Sequence, residues 1–445
     1  MTIPTFTGYD TALRGLQAEQ LAIDTTGQNI DNASTPGYSR ETVDLTESSP
    51  LALQAESSVN SGSVNLGTGV DADTISRIRN QFLDVQYRAQ NTTLGNANAT
   101  VTSLTQSQAA FDEPGTNGIS AALTTFYNDY GNLADDPTST AAGETLVDDA
   151  GSLADQFNSL SSQLTAVQTQ AGTQLTDLTA SNGQLATDAN QIAQLNGEIN
   201  QQLGSGSDPN TLEDQRDSLI DDMSSLGTVS VTDPGNGLLQ ITFGGNSTPL
   251  VDGTTVNWPP PTPTAATGGE LGALASLSDT SSAGAISPYL TQLNTVATDL
   301  ISTVNGITNA SSSSTPYTLF SGTSAANIAV TSGVTASTVI TGGDNSVALA
   351  VSEIPGSTAD TPDSTYDALI AQVGSDVKSA TSTQTNSQAL VNAVENQRES
   401  VSGVSIDEEM TNLLSYQQGY QAAARVLNTM SSVISTLIDQ VGAAS

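Results

Sequence analysis

The stretch "QNIDNASTPGYSRET", Gln28 to Thr42, interrupts an apolar rhythm that starts at Tyr9. Tyr9, Leu13, Leu16, Gln20, Ile23, Gly27 and Ile30 recur at alternating steps of four and three, the spacing of one helix face. Pro36 then disfavours the helical conformation at Thr35. Pro-Gly is the pairing for a type II turn with Gly37 at positive φ. Asp31, Asn32 and Ser34 are short polar residues of the kind that satisfy backbone groups freed at a helix end. The stretch predicts a corner that ends one long helix and redirects the chain.

The other end of the chain carries the cleaner repeat. Ile406, Met410, Leu413, Gln417, Tyr420, Ala424, Leu427, Ser431, Ile434, Ile438 and Val441 keep a seven-residue period, which implies supercoiling with a partner helix. Chain ends usually fray unless they are tied down. The two stripes are therefore expected to pair with each other or with neighbouring copies, and Gln and Ser in the seam suit stability that depends on assembly. The expected assembly interface is Leu13, Leu16, Ile23, Ile30, Met410, Leu413, Tyr420, Leu427 and Ile434.

Between the ends, Leu94, Ala97, Val101, Leu104 and Phe111 share one register, and a longer one runs from Leu146 through Phe157, Leu164, Leu178 and Ile192 to Ile199. The longer pattern reads as a rod-like helix ended by "GSGSDPN", Gly204 to Asn210. Spacing then changes to alternation. "TVSVTDPGNGLLQITF" sets Val229, Val231, Leu239, Ile241 and Phe243 around a Pro-Gly-Asn-Gly turn, a hairpin signal. "PPPTPTAATGG" reads as a stiff linker. Helical spacing returns from Leu271 to Ile307, strand-like runs follow in "PYTLF", "NIAVT", "STVIT" and "VALAVSE", and from about Tyr366 the chain is helical again. The expected fold is mainly α with a β-rich insert. A terminal coiled-coil inner domain combines 1–40 with 402–445. A long-helix domain combines 41–226 with 269–310 and 356–401. A β-rich outer domain combines 227–268 with 311–355.

Composition excludes several classes of function. The 445 residues carry 46 acidic and 9 basic side chains, a net charge of −37, with Lys378 the only lysine. Phosphate backbones require clustered Lys and Arg, and anionic membranes repel such a chain, so neither nucleic acid nor membrane is an expected partner. The acidity reads as a solubility device, with a specific cation requirement as the sharper alternative. "GSGSDPN" lacks the acidic spacing of a calcium loop, and no metal or cofactor site is expected. Cysteine and histidine are absent, which removes disulfides, thiolate nucleophiles, zinc clusters and Ser-His-Asp arrangements. No basic-then-apolar segment marks a secretory signal peptide, and no apolar run spans a bilayer.

Ser375 and Lys378 match the Ser-x-x-Lys spacing of acyl-transferring serine enzymes, but the partner Lys-Thr-Gly element would need a second lysine. Adjacent carboxylates such as Asp135-Asp136, Asp148-Asp149, Asp221-Asp222 and Glu408-Glu409 point about 100° apart on a helix and read as solvated faces. No catalytic residue is assigned.

"NIDNASTPGYSRE" resembles the signature at the end of the N-terminal helix in the bacterial flagellar rod, hook and axial protein family, through Asn29, Ile30, Asn32, Thr35, Pro36, Gly37, Tyr38, Ser39 and Arg40. The C-terminal "SGVSIDEEMTNLLSYQQGYQAAARVLNTM" resembles the matching signature at the other end. "GYSRE" in place of the Gly-Phe-Lys of rod and hook proteins, "SGVSIDEE", "DQRDSLIDDMSSL" and "GGELGAL" together are similar to the hook-associated members at the hook–filament junction. "TAAGETL" departs from the family, which often carries an arginine there.

The resemblance implies a non-enzymatic structural subunit that polymerises with itself into a ring or short helical polymer. Its implied partners are the hook protein, the next hook-associated protein towards the filament, and a flagellar export chaperone. It implies an extracellular location on the flagellum, reached unfolded through type III export. Asn29, Asn32, Thr35, Pro36, Gly37, Tyr38 and Arg40 form the implied hinge, with Tyr38 and Arg40 anchoring it against a neighbour. A hook or distal-rod subunit is the alternative within the class, and a secreted adhesin carried by the β-rich insert is the alternative outside it.

Overall fold

The computed structural model describes residues 7–54, 63–310, 315–340, 342–357 and 361–442. The fold is mainly α, with long helices and small sheets. Helix α1 (Thr7–Asp31) enters the corner, and strands β1 (Glu41–Glu47), β2 (Leu51–Gln54), β3 (Ser63–Leu66) and β4 (Val70–Arg77) follow it. β1 pairs antiparallel with β4 across a bulge between Asp44 and Leu45, and β2 pairs with β3. These strands fall within the stretch expected to be long-helical; Val43, Leu45, Val70 and Ile75 bury too little area for an alternation pattern to stand out.

Helices α2 (Gln81–Phe111), α3 (Ile119–Asp135) and α4 (Thr140–Leu178) begin the main bundle. The expected single rod is two helices, because the chain breaks at 179–183 before α5 (Gln184–Gly204). Thr179 Oγ1 caps back onto Leu175 O at 2.7 Å, and Gly183 N donates to Ala180 O at 2.8 Å. A Cβ at Gly183 would collide with the Asp177 carbonyl, so only glycine passes there. The apolar period survives the break because Leu178 and Leu185 both face inward.

Helix α6 (Asn210–Leu226) precedes the expected hairpin, which forms β5 (Val229–Thr232) and β6 (Gln240–Phe243) with Val229 opposite Phe243 and Val231 opposite Ile241. β7 (Pro249–Asp252) and β8 (Thr255–Val256) complete a four-stranded sheet in sequence order. Helices α7 (Gly269–Ser278) and α8 (Ser287–Ala310) are separated where Ser281 N and Oγ bond the Asp279 carboxylate at 2.8 and 2.9 Å. Beyond them, β9 (Phe320–Ser321) and β10 (Ala329–Val330) form a minimal pair. The next two runs are helical rather than strands: α9 (Ala336–Val339) and α10 (Ser346–Ser352). Thr335 and Thr338 cap α9 reciprocally, and Ser346 N donates to Asp344 Oδ1 at 3.0 Å to open α10. Local capping overrides β propensity there. Helices α11 (Pro362–Ser402) and α12 (Ile406–Gly442) end the fold.

Two cores organise the body. The larger joins α3, α4 and α8 with the ends of α2 and α11 and with residues 317–354, around Phe126, Tyr130, Phe157, Leu164, Leu300, Phe320 and Tyr366. The smaller joins α5 and α6 to the four-stranded sheet around Leu185, Ile192, Ile220, Met223, Ile241 and Val251. The four-stranded sheet thus packs in the smaller core, whereas Tyr317, Phe320, Ile328, Val339 and Val351 pack in the larger. Asn196 locks the sheet to α5 by donating to Leu239 O and Gly253 O at 3.0 and 2.8 Å.

Within the larger core, Asp129 of α3 is buried against Asp149 of α4, and burial together with that facing carboxyl pushes Asp129 up to about 6. A carboxyl raised by folding costs stability as pH rises from the unfolded value through the folded one. Asp129→Asn is expected to raise Tm at pH 7.5 and to leave it unchanged at pH 4. Paired calorimetric scans at the two pH values check this.

Candidate assembly site at the helix corner

α1 and α12 pack antiparallel. Asn29 lies opposite Glu409, Glu19 beside Gly419 and Gly8 beside Met430, a constant register along the pair. A Cβ on Gly419 would collide with the Glu19 carboxylate, and one on Gly8 would sit 3.0 Å from Met430 Cε. The seam thus depends on small residues. The buried stripe of α1 is Ala12, Ala18, Ala22, Thr25, Thr26 and Asn29, shifted by one position from the expected leucine stripe. Leu13, Leu16, Ile23 and Ile30 are half-buried along its flank. On α12, Leu413, Tyr420, Leu427 and Ile434 are half-buried, Met410, Ile406 and Ile438 are exposed, and the Val441 side chain lies outside the described residues.

The corner closes as its sequence dictates. Asn32 Nδ2 donates back to Gln28 O at 3.0 Å, and Thr35 Oγ1 donates to Asn32 Oδ1 at 3.2 Å. Tyr38 N donates to Thr35 O at 3.2 Å across Pro36 and Gly37, whose φ is +78°, as a type II turn requires. Asn29 fills every hydrogen-bonding position it has. Its Nδ2 donates to Glu41 O and Glu409 Oε2 at 2.9 and 3.1 Å. Its Oδ1 accepts from Tyr38 Oη and Glu41 N, both at 2.9 Å. Burial pushes the Tyr38 phenol up, with Glu41, Asp214 and Glu409 adding to it, so Tyr38 stays a donor at any working pH.

Tyr38 and Arg40, expected to grip a neighbour, are anchored within the chain. Arg40 Nη1 and Nε pair with Glu408 and Glu409 at 2.8 and 2.9 Å, and Arg40 N donates to Ser402 O at 2.9 Å. Ser39 N and Oγ both donate to the Asp214 carboxylate, at 2.9 and 2.7 Å.

Below the turn lies a cluster the sequence reading missed. Arg77 pairs with Glu213, Asp214 and Asp217 at 2.7, 2.6 and 3.1 Å. Arg79 pairs with Asp84 and Asp217, both at 2.8 Å. Arg88 and Arg398 share Asp221 at 2.6 and 2.9 Å, and Arg398 also lies over the Tyr87 ring, 4.4 Å from its centroid. With Arg40, and with Arg216 beside Glu213, six of the nine basic residues meet here. Burial alone would raise Asp217, but Arg79, Arg77, Arg88 and Arg216 outweigh it and hold the carboxyl below its usual range. The signal was present in the spacing of Asp214, Asp217 and Asp221 on one face of α6, and in the gathering of Arg77, Arg79 and Arg88 in a chain poor in cations.

Ser375 and Lys378 are exposed on α11, away from the corner. Among the described residues, no group of three or more His, Cys, Asp and Glu converges as a metal cage. What the corner does is mechanical: it binds the ends of α1 and α11 and the starts of α2 and α12 to α6.

An antiparallel pair of terminal helices, joined to a helical body through a Pro-Gly corner, is the architecture of a structural protein rather than of a small-molecule site. Comparisons carry that further. Residues 104–258 match the family described as "Flagellar hook-associated protein FlgK helical domain". Residues 10–38 match "Flagella basal body rod protein", and residues 395–440 match "Flagellar basal body rod FlgEFG protein C-terminal". The chain is 27% identical to flagellar hook-associated protein 1 of Bacillus subtilis, over 98% of this chain and 99% of that protein. It is 29% identical to the Salmonella typhimurium protein of the same name, over 55% of this chain and 42% of the other. A solved flagellar hook junction protein FlgK from Burkholderia pseudomallei aligns with a TM-score of 0.43 and 26% identity, covering 51% of this chain and 44% of that one. Over nearly its whole length the chain is similar to flagellar hook-associated protein 1.

Removing one partner from a buried, hydrogen-bonded ion cluster strands the others. Asp217→Asn is expected to cost about 3–5 kcal/mol near neutral pH. Because folding lowers the Asp217 pKa, its stabilisation is present above the unfolded carboxyl value and lost as pH falls through the folded one. The variant's deficit should therefore shrink in strong acid. Urea denaturation at neutral pH and near pH 2.5 measures both effects.

Proposed function

We propose that this chain is a non-enzymatic subunit that polymerises with copies of itself into a short adaptor ring between the flagellar hook and filament. The observation carrying this reading is the terminal pair. α1 and α12 spend small residues on each other, which leaves Leu13, Leu16, Ile23 and Ile30, and Met410, Leu413, Tyr420, Leu427 and Ile434, on their flanks. Half-buried leucines in a row are more apolar surface than a lone helix pair gains by displaying. Further copies of the same pair would cover them, with the terminal helices lining an inner tube.

The full-length match to a hook-associated protein supports the junction over a general rod or hook role. The corner supports it mechanically, because a clasped joint transmits load from the inner helices to the body. The hook protein would meet one edge of the ring and the next hook-associated protein the other. A flagellar export chaperone would hold the exposed terminal stripes before assembly. No helix among the described residues is long and apolar enough to cross a membrane. Against the adhesin alternative stands the four-stranded sheet's shared core with α5 and α6.

Electron microscopy of a deletion strain tests the reading. Hooks without filaments are expected; absence of hooks would assign the chain to hook or rod. In the same strain, Leu427→Asp should restore no filaments, while the purified variant keeps the melting transition of its body. Full filaments from Leu427→Asp would remove the flank from the interface.

A further inference from the structure

Of the nine basic side chains, Arg14 pairs with Asp71 at 2.6 Å and six meet at the corner. Among the described residues, Lys378 on α11 and Arg425 on α12 are left exposed and without a carboxylate partner. Between Glu409 and Asp439, Arg425 is the one charged side chain of α12. Glu409, Gly419 and Met430 face α1. Arg425 lies about 120–160° around the helix from them, and so points away from α1. The exposed Met410 and Leu414 share that outward face.

The outward face of α1 is of the opposite kind. Asp10, Gln17, Asp24 and Asp31 recur every seven residues and are all exposed, so they form one row along the helix. Arg14, the one cation of α1, is taken up by Asp71 and Ser48, and among the described residues the three row carboxylates have no cation of their own. Two such acidic rows set together would repel, whereas the α12 face with its single arginine can lie against one. A contact between two unlike faces is heterologous, and repeating it about an axis closes a ring. The terminal pair therefore carries both halves of one interface.

We propose that Arg425 of one copy forms an ion pair with Asp10 of the next, docking the α12 face of each subunit on the acidic α1 row of its neighbour. The inference rests on the reading of the chain as a self-assembling subunit. The helix register selects the partner. Asn29 with Glu409, Glu19 with Gly419 and Gly8 with Met430 set Leu13 level with Arg425. Asp10 lies three residues from that level, about 4.5 Å along the axis, and Asp24 eleven residues, about 16 Å. Subunits of a flat ring sit level with one another, which brings Asp10 within reach of the guanidinium and leaves Asp24 beyond it. The planar guanidinium suits a carboxylate through two parallel hydrogen bonds, so the pair also fixes the orientation of neighbours.

The test is a charge swap in the full chain, expressed in the deletion strain. Arg425→Asp sets like charges together and is expected to lower the fraction of hooks bearing filaments at least about tenfold. Adding Asp10→Arg reverses the pair and should bring that fraction back to within about twofold of wild type. Both positions are exposed, so both purified variants should keep the wild-type melting transition. Full filaments from Arg425→Asp, or no recovery on adding Asp10→Arg, would overturn the pair. The chain has no cysteine, so Asp10→Cys with Arg425→Cys gives a second readout. Oxidised flagella from the double variant should yield a ladder of covalent multimers on a non-reducing gel, and each single variant monomer. Monomer alone from the double variant would overturn the contact. The ladder reports the contact wherever the subunit sits, so loss of hooks in the deletion strain would correct the place in the flagellum and leave the pair standing.

Discussion

Positive charge is scarce in this chain, and the fold depends on where it is placed. Asp217, largely buried on α6, is held ionised by Arg77, Arg79 and Arg88. Those arginines reach outward to Glu213, Asp214, Asp84 and Asp221, and Arg398 ties the end of α11 to the same carboxylates. Elsewhere the surface is nearly all anionic, and its self-repulsion opposes compaction. The corner is the place where opposite charges meet out of water, so the interactions there escape most salt screening.

From that cluster the rest of the architecture follows. Asp214 holds Ser39, Ser39 sits between Tyr38 and Arg40, and these two residues grip Asn29 and Glu409 at the mouth of the α1–α12 pair. The terminal helices are therefore oriented from the body rather than by their own thin seam. A seam of alanine and glycine buries little apolar area, at about 25 cal/mol per Å², and would not fix a direction alone. The economy has a functional counterpart. Apolar residues not used within the subunit remain for copies of it.

Much of this was legible in the sequence, for identifiable reasons. Heptads at both ends, the Pro-Gly corner and the Asp233–Gly237 hairpin turn are local patterns, and each formed where local physics demanded. The seam register slipped by one position because leucine was weighed above alanine, whereas close helix pairing rewards small side chains. The run from Leu146 to Ile199 hid a turn, since two helices packing on adjoining cores can keep one apolar period across a break. Val347 to Val351 looked like a strand because Val and Ala do not show which cap will win; Asp344 and Asn345 settled it. The arginine cluster was hardest to see, because its partners lie far apart along the chain and meet only after folding.

Shared carboxylates make this cluster one cooperative clasp and not a set of independent surface pairs. A double-mutant cycle on Arg398→Gln and Asp221→Asn, read from urea denaturation at low and high NaCl, tests it most directly. A clasp predicts a coupling energy above about 1 kcal/mol that changes little with salt. Effects that add to within about 0.5 kcal/mol, or a coupling that vanishes in high salt, would contradict it.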